Sequence, residues 1–239
     1  MEVFPIVHTR DGAINTAIRE ADRALKLGAD GVYLTDQFNG VKDNKPLFET
    51  YRRIQINNPE KYVGINIFSA SQYVSINALA KFLEKSDESE LAPSGLWVDD
   101  IRFNELKKRA TIELINSDPK LQNIRLLGGI AYMHTSTYTE NPVMAANETV
   151  QLMDLVDVVV ANGMNNDGSL AVEKLSAMKD AARDKTLAVV GNLSIENVAM
   201  LDGIADEIIV TRNLGSYYGP DAADPRSLEW LINFAHFLG

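Results

Sequence analysis

The sequence predicts a single-domain (β/α)8 barrel over residues 1–239. Short apolar runs rich in Val and Ile alternate about eight times with longer amphipathic segments, and no low-complexity linker separates them. Most runs are apolar almost throughout, as parallel strands covered on both faces are. Eight such units fit a chain of 239 residues. A doubly wound sheet is the main alternative, but its glycine-rich first turn is absent from residues 7–12.

The apolar runs are the predicted strands: residues 3–7, 31–35, 63–68, 95–98, 124–130, 156–161, 186–190 and 207–210. The segments with helical spacing are the predicted helices: residues 13–27, 46–56, 71–83, 104–115, 142–153, 172–182, 195–201 and 225–237. Asn141-Pro142 and Asp224-Pro225 each place a capping side chain before a proline, which predicts a helix start. Gly28 stands where the first helix should end.

Composition excludes several classes of protein. Asp and Glu total 33 against 23 Lys and Arg, so a net charge of −10 argues against a nucleic-acid partner held by a broad basic surface. The absence of cysteine removes disulfides, thiolate nucleophiles and cysteine-based metal sites. Residues 1–10 lack the pattern of a signal peptide, and no apolar run approaches the roughly 18 residues of a membrane span. We therefore expect a cytoplasmic protein without membrane insertion.

Polar residues follow most of the predicted strands, where the active site of a barrel lies. In the first six units they include four candidate ligand-binding residues: His8, Asn66, Asn162 and Gly163. The loops after the last two strands hold phosphate in many barrels, and here they supply six more candidates: Gly191, Asn192, Ser194, Thr211, Arg212 and Asn213. These residues predict a site for a small anionic metabolite.

Three residues of the predicted anion site have distinct roles in this interpretation. Gly191 permits close approach of the backbone, Ser194 begins the next helix, and Arg212 adds a fixed positive charge. The alternative is purely structural. Gly191 and Ser194 would then form a tight turn and a helix cap, and Arg212 would pair with a surface acid.

Asp36, Asp99 and His134 are the candidate catalytic residues, because each follows a predicted strand and each can transfer a proton. The carboxylates would also suit Mg²⁺, so the cofactor stays open. Arg102 closely follows the Asp99-Asp100 pair. The structural alternative is that Asp100 pairs with this arginine or caps the next helix.

Several chemistries are disfavoured by what the sequence lacks. All 12 lysines fall in predicted helices or in loops away from strand ends, which argues against an aldolase with a Schiff-base lysine projecting from a strand. The sequence contains no G-x-x-x-x-G-K-[ST], H-E-x-x-H or G-x-S-x-G motif. A P-loop nucleotide hydrolase, a zinc protease and an α/β-hydrolase are therefore disfavoured.

Segments spread along most of the chain carry a family resemblance: Val7-His8, Gly28-Ala29-Asp30-Gly31-Val32, Val63-Gly64-Ile65-Asn66-Ile67, Val156-Asp157-Val158 through Asn162-Gly163, Val189-Val190-Gly191-Asn192 with Glu196-Asn197-Val198, and Ala205-Asp206-Glu207-Ile208-Ile209-Val210-Thr211. Through them the chain resembles the BtpA family of TIM-barrel proteins, which is named for a member linked to photosystem I biogenesis and includes relatives in sugar-utilisation operons. The resemblance implies a TIM barrel with a pocket at the strand ends. The activity of that family is poorly defined, so no particular reaction is implied.

The chain also departs from the family pattern. A proline- and glycine-rich stretch commonly follows the first histidine of the family, but here Thr9-Arg10-Asp11-Gly12 leads directly into a helix. The fifth strand of the family usually ends in an acid, with a Lys-His pair soon after, whereas this chain keeps His134 and lacks the acid and the lysine. The family Ser-Gly after strand seven is Asn192-Leu193 here, and Arg212 occupies a position where the family has a small or polar residue. These departures imply a divergent relative whose chemistry differs or is lost.

Three functions compete at this stage. The first is an enzyme acting on a small phosphorylated metabolite, either a sugar phosphate or a nucleotide-like compound. The second is a non-catalytic barrel that binds a ligand or assembles with other proteins. The third is a metal-dependent hydrolase that uses His8, Asp36, Asp99 and His134. Surplus aromatic residues on the outer helices would suit a homo-oligomer.

Overall fold

The structure is a computed structural model that describes residues 1–9, 14–36, 44–68, 71–85, 92–102, 105–191, 193–211 and 225–238. Its strands form one closed parallel barrel in which each strand pairs with the next and the last pairs with the first. The strands are β1 (Glu2–His8), β2 (Gly31–Thr35), β3 (Tyr62–Asn66), β4 (Gly95–Val98), β5 (Arg125–Gly129), β6 (Val158–Asn162), β7 (Thr186–Gly191) and β8 (Glu207–Val210). The predicted (β/α)8 TIM barrel is confirmed.

Helices follow the strands on the outside of the barrel. Within the described ranges they are α1 (Ile14–Lys26), α2 (Lys45–Asn57), α3 (Gln72–Glu84), α4 (Glu105–Ser117), α5 (Pro119–Gln122), α6 (Pro142–Leu152), α7 (Val172–Ala182), α8 (Ile195–Val198) and α9 (Pro225–Leu238). No helix in these ranges is long and apolar enough to span a bilayer.

The predicted and observed elements agree closely, with two instructive differences. The predicted helix 195–201 is α8 followed by a tighter 3₁₀ turn, Ala199–Leu201. The short helix α5 was not predicted, although its start carries the same signal as α6. The Asp118 carboxylate accepts a hydrogen bond from the Lys120 amide at 2.9 Å, immediately before a proline.

The helix-end signals act as predicted where the structure describes them. Asn141 Oδ1 accepts a hydrogen bond from the Met144 amide at 3.1 Å and so caps α6. Gly28, two residues after the end of α1, has a φ of +99°, a left-handed conformation that favours glycine. Asp224 lies outside the described residues.

Two apolar cores hold the barrel together. The larger core lies between the strands and the helices, and the smaller one fills the inside of the barrel with residues such as Phe4, Tyr33 and Trp97. Inward-facing glycines make room for the large rings. A methyl group on Gly64 would overlap the ring of Tyr33. Large and small side chains therefore alternate around the interior, which allows dense packing.

An ion pair lies inside the amino-terminal end of the barrel. Arg125 Nη2 at the start of β5 is 2.5 Å from Glu207 Oε1 at the start of β8, and the Glu207 side chain is only 2% exposed. Above this pair the hydroxyl groups of Tyr33 and Tyr62 are hydrogen-bonded at 2.6 Å. These side chains occupy the amino-terminal part of the interior, and the site described next lies at the opposite end.

Candidate functional site

A cavity of about 420 Å³ opens at the carboxyl ends of the strands. Parallel strands end at the same rim of a barrel, so residues far apart in sequence meet there. The described residues that line the cavity include seven of the sequence-predicted site residues: His8, Asn66, Asp99, His134, Asn162, Gly191 and Thr211. The structure thus brings together the ends of β1, β3, β4, β6, β7 and β8 and the loop after β5.

Asn66 organises the floor of the cavity through three hydrogen bonds. Its side-chain oxygen accepts from Thr35 Oγ1 at 2.8 Å. Its side-chain nitrogen donates to the backbone oxygen of Trp97 at 3.1 Å and to Asp99 Oδ1 at 3.2 Å. Because Asn66 and Asp99 are both buried, this network fixes the position of the carboxylate.

Aromatic rings form one wall of the cavity beside Asp99. Tyr132 is buried and stacks edge-on with Trp97, with ring centroids 6.0 Å apart. Burial, with a smaller contribution from the negative charge of Asp99, raises the pKa of the Tyr132 hydroxyl well above its ordinary value. The Tyr132 hydroxyl is therefore a neutral hydrogen-bond donor over the physiological pH range.

His134 lies at the mouth of the cavity rather than on its floor. Its side chain is exposed, and its ring meets those of Phe68 and Tyr132 edge-on, with centroids 5.2 and 5.4 Å away. A histidine in this position can exchange protons with solvent and still face a ligand in the cavity.

Two loops are joined at the edge of the cavity. Tyr138, in the loop after β5, donates from its hydroxyl to Glu140 Oε1 at 3.0 Å, and the same oxygen accepts from the backbone amide of Asn166 in the loop after β6. Burial and the hydrogen bond to Glu140 raise the pKa of Tyr138 to about 12. Asn162 donates from its side chain to the backbone oxygen of Met164, which shapes the second loop.

Three sequence-predicted residues take other places. Asp36 is buried but does not line the cavity, because Thr35 faces the interior and successive strand residues point to opposite sides. Gly163 lies behind the cavity, where a methyl group would approach Val189 Cγ1 to 2.8 Å. Ser194 begins α8, and its amide donates to Asn197 Oδ1 at 2.8 Å. Both interpretations of Ser194 include this helix start, and Ser194 is not among the described residues that line the cavity.

Asp100 pairs with Arg102, as the structural alternative for Asp100 predicted. Its carboxylate receives Arg102 Nη2 at 2.7 Å and Arg102 Nε at 2.9 Å. The bidentate geometry occupies both carboxylate oxygens, so Asp100 is a partner for Arg102 and not a second acid in the cavity. Three predicted anion-site residues lie outside the described residues: Asn192, Arg212 and Asn213.

A metal centre does not form from the described acids and histidines. They contain no group of three or more His, Asp or Glu side chains close enough to hold an ion. In particular, His8, Asp36, Asp99 and His134 do not converge as the metal-dependent hydrolase required. Within the described ranges, Asp99 is the buried carboxylate that lines the cavity.

Sequence reasoning missed several residues that shape the cavity: Thr35, Phe68, Trp97, Met164, Asn165 and Asn166. A signal for Asn165 and Asn166 was present, since they belong to the polar segment that follows β6. Trp97 gave no signal, because a tryptophan within a strand reads equally well as core.

Comparison with solved structures finds barrels of the same fold. Orotidine 5'-phosphate decarboxylase from Pyrococcus horikoshii OT3 has a TM-score of 0.64 at 10% identity, over 98% of this chain and 99% of that chain. Monomers of the dimeric phosphoribosylanthranilate isomerase from Thermotoga maritima give 0.62 at 14%, over 99% of each chain. Tryptophan synthase subunit alpha from Legionella pneumophila str. Paris gives 0.62 at 11%, over 99% of this chain and 92% of that chain.

These likenesses extend over nearly the whole chain, and at such low identity they show the fold alone. The sequence matches no known family profile and no curated protein. The resemblance to the BtpA family therefore stays a prediction, while the TIM-barrel fold is established.

Proposed function

We propose that the protein is an enzyme that acts on a small phosphorylated metabolite, a sugar phosphate or a nucleotide-like compound, bound in the cavity at the strand ends. One observation carries the proposal. Gly191 and Thr211, at the ends of β7 and β8, line the same cavity as Asp99 and His134. A single ligand can therefore place its phosphate at one side and its reacting carbon atoms at the other.

The phosphate side would be built mainly from backbone and hydroxyl groups. Gly191 carries no side chain that would keep a phosphate away, and the Thr211 hydroxyl can donate a hydrogen bond. The Thr211 amide already donates to the Gly191 backbone oxygen at 3.2 Å, which holds the two strand ends together. Arg212 and Asn213, the next residues in sequence, would supply a positive charge and a further donor.

The reacting side would use Asp99 and His134. Asp99 is buried and oriented by Asn66, as a group that must meet a ligand in one geometry should be. His134 at the mouth would donate a proton to the ligand or accept one from it, and would exchange that proton with solvent. His8, Asn66 and Asn162 would hold polar groups of the ligand between these two sides.

The solved structures support the choice of ligand class. The name of the decarboxylase contains orotidine 5'-phosphate. A second structure of phosphoribosylanthranilate isomerase, similar to this chain at 14% identity with a TM-score of 0.63, is a complex with a reduced deoxyribulose 5-phosphate compound. The resemblance to the BtpA family, with relatives in sugar-utilisation operons, favours the same class. As part of the proposal, we extend to this chain both the phosphorylated ligand class of the solved structures and the sugar-related class of the BtpA relatives.

Thermal unfolding tests the ligand class. We expect inorganic phosphate, ribose 5-phosphate, glucose 6-phosphate and nucleoside monophosphates to include at least one compound that raises the melting temperature. Ribose and glucose should have no effect. A ligand present at a hundredfold excess over its Kd stabilises the folded state by about 2.7 kcal/mol, which shifts the melting temperature by several degrees.

Two variants locate the site. Arg212→Ala and Thr211→Val should each lose the ligand-dependent shift and keep the melting temperature of the free protein. Arg53→Ala is the matched control, because Arg53 pairs with Glu49 on the exposed face of α2, away from the cavity. If no phosphorylated compound shifts the melt of the folded protein, the non-catalytic barrel replaces the enzyme as the better hypothesis.

We also infer that the protein forms a homo-oligomer in the cytoplasm. Trp230 and Phe237 on α9 are 63% and 84% exposed, and they lie beside Ile195 and Phe234 on one apolar surface. Exposed aromatic residues grouped in this way commonly mark subunit contacts. Light scattering of the wild type and of Trp230→Lys tests the assembly, and identical monomer masses would refute it.

A further inference from the structure

Lys174 is buried without a hydrogen-bond partner. It lies in the first turn of α7, and the residue is only 1% exposed. Within the described part of the chain its Nζ atom makes no hydrogen bond and no ion pair. A buried ammonium group normally requires both, because its desolvation is costly.

Lys174 does not itself line the cavity, but its amine contacts a residue that does. Nζ lies over the ring of Tyr138, 5.4 Å from the ring centroid, and Tyr138 is one of the residues that line the cavity. Glu140 is the acid that acts on the lysine electrostatically. Its Oε1 atom already accepts hydrogen bonds from Tyr138 and from the Asn166 amide, so Glu140 is engaged in holding the loops.

Burial favours the neutral form of this amine. Desolvation lowers the pKa of Lys174 to about 8, although the charge of Glu140 partly opposes this effect. An ordinary lysine has a pKa of about 10.4, so at pH 7.5 the neutral fraction of Lys174 exceeds that of a surface lysine by roughly a hundredfold. Only the neutral amine is a nucleophile.

We propose that Lys174 is a nucleophilic lysine that forms a Schiff base with an aldehyde or ketone reaching it from the cavity when the Tyr138 ring moves aside. The amine attacks the carbonyl carbon, and the carbonyl oxygen leaves as water after taking up the two protons that the amine loses. The product is an imine between Nζ and the ligand carbon. The step needs no oxidant or reductant.

Tyr138 is suited to act as the gate. Its loop is the segment between β5 and α6, whose residues Ser136, Thr137 and Glu140 are exposed, and its side chain is held there by the hydrogen bond to Glu140. Exposed parts of a surface loop can open locally at a free-energy cost well below that of global unfolding. Lys174 lies on a helix, so the argument against a Schiff-base lysine that projects from a strand does not apply to it.

Reductive trapping tests the proposal. The folded protein is treated at pH 7.5 with D-glyceraldehyde and sodium cyanoborohydride, which reduces the imine to a stable secondary amine, and the modified lysine is located by peptide mass mapping. We expect at least about tenfold more adduct on Lys174 than on Lys179, because burial favours the neutral, nucleophilic form of the Lys174 amine. Lys179 is the matched control on the same helix, paired with Asp206 at 2.5 Å.

Two variants sharpen the test. Lys174→Arg should keep the fold and lose the dominant adduct. Tyr138→Ala should label Lys174 several-fold faster than the wild type. Adduct on Lys174 at or below the level on Lys179, in protein with the native melting temperature, would overturn the proposal. Equal labelling rates in Tyr138→Ala and the wild type would overturn the gate.

A second aldehyde separates this proposal from the phosphate site. D-glyceraldehyde 3-phosphate is compared with D-glyceraldehyde under the same conditions. Adduct on Lys174 with both compounds at equal rates supports the nucleophilic lysine and argues against phosphate recognition. If the phosphorylated compound labels Lys174 faster, and Arg212→Ala abolishes this difference in rate, the result supports both the nucleophilic lysine and the phosphate site.

Discussion

The side chain of Asn66 joins Asp99 to two neighbouring strands. Its Nδ2 atom donates to Asp99 Oδ1 at 3.2 Å and to the Trp97 backbone oxygen, while its Oδ1 atom accepts from Thr35. One amide thus connects the ends of β2, β3 and β4 below the cavity. The carboxylate proposed to act on the ligand is therefore positioned by a residue that also stabilises the barrel.

Removal of this amide should weaken the fold measurably. Asn66→Ala leaves three buried polar groups without this partner, and each such loss costs about 1 kcal/mol or more. We expect the free energy of unfolding in urea to fall by roughly 2–3 kcal/mol. Asn165→Ala is the control, because Asn165 lines the same cavity and, among the described residues, its side chain donates to exposed Ser169. Equal, small effects of the two substitutions would contradict the network.

Gly64→Ala tests the packing inside the barrel. The added methyl group would overlap the ring of Tyr33, and overpacking of this kind costs about 1–3 kcal/mol. In a Tyr33→Val background the same change should cost much less, since the ring is gone. Gly168→Ala is the control, because Gly168 has a φ of +83° and nothing near its Cβ position, so backbone strain alone acts there. Chemical denaturation of all five proteins measures the coupling.

Replacing Arg125 alone should destabilise the protein more than replacing both Arg125 and Glu207. Arg125→Met leaves the Glu207 carboxylate buried without its cation, and the expected loss is about 3–5 kcal/mol. The double variant Arg125→Met with Glu207→Leu should recover most of that loss, because no charge then remains buried. Urea unfolding distinguishes the two results. A double variant as unstable as the single one would show that the pair contributes through packing instead.

Lys174→Met should stabilise the protein in a pH-dependent way. The pKa of Lys174 is lower in the folded state, about 8, than in the unfolded chain, so the unfolded state binds more protons between these values. The buried amine therefore destabilises the wild type by its full amount below pH 8. This destabilisation is lost as the pH rises toward 10.5. At about 1.4 kcal/mol per pKa unit the gain from the variant at pH 7 is at most about 3 kcal/mol.

Unfolding of both proteins between pH 7 and pH 10.5 measures this gain. The difference in unfolding free energy should shrink steadily across the range. Lys179→Met provides the comparison, since Lys179 lies on the same helix and is paired with Asp206. A gain that does not change with pH would exclude the buried amine as its cause.

The sequence alone determined the order and type of nearly every element. Hydrophobic period and capping residues are local properties, so β2, β4, β8 and α7 were predicted with their observed bounds. It also determined the end of the barrel at which polar residues gather. Parallel strands all finish at one rim, and so His8, Asn66 and Thr211 share a cavity although they are far apart in the chain.

Tertiary structure alone decided which polar residues face the cavity. Asp99 points inward with Trp97, whereas Asp36 follows inward-facing Thr35 and does not reach the cavity. A strand covered on both faces is apolar on both, so its sequence carries no alternation that would reveal the inner side. The burial of Lys174 beneath Tyr138 and the pairing of Arg125 with Glu207 likewise join distant segments. Such contacts depend on strand register and loop path, which local sequence patterns do not encode.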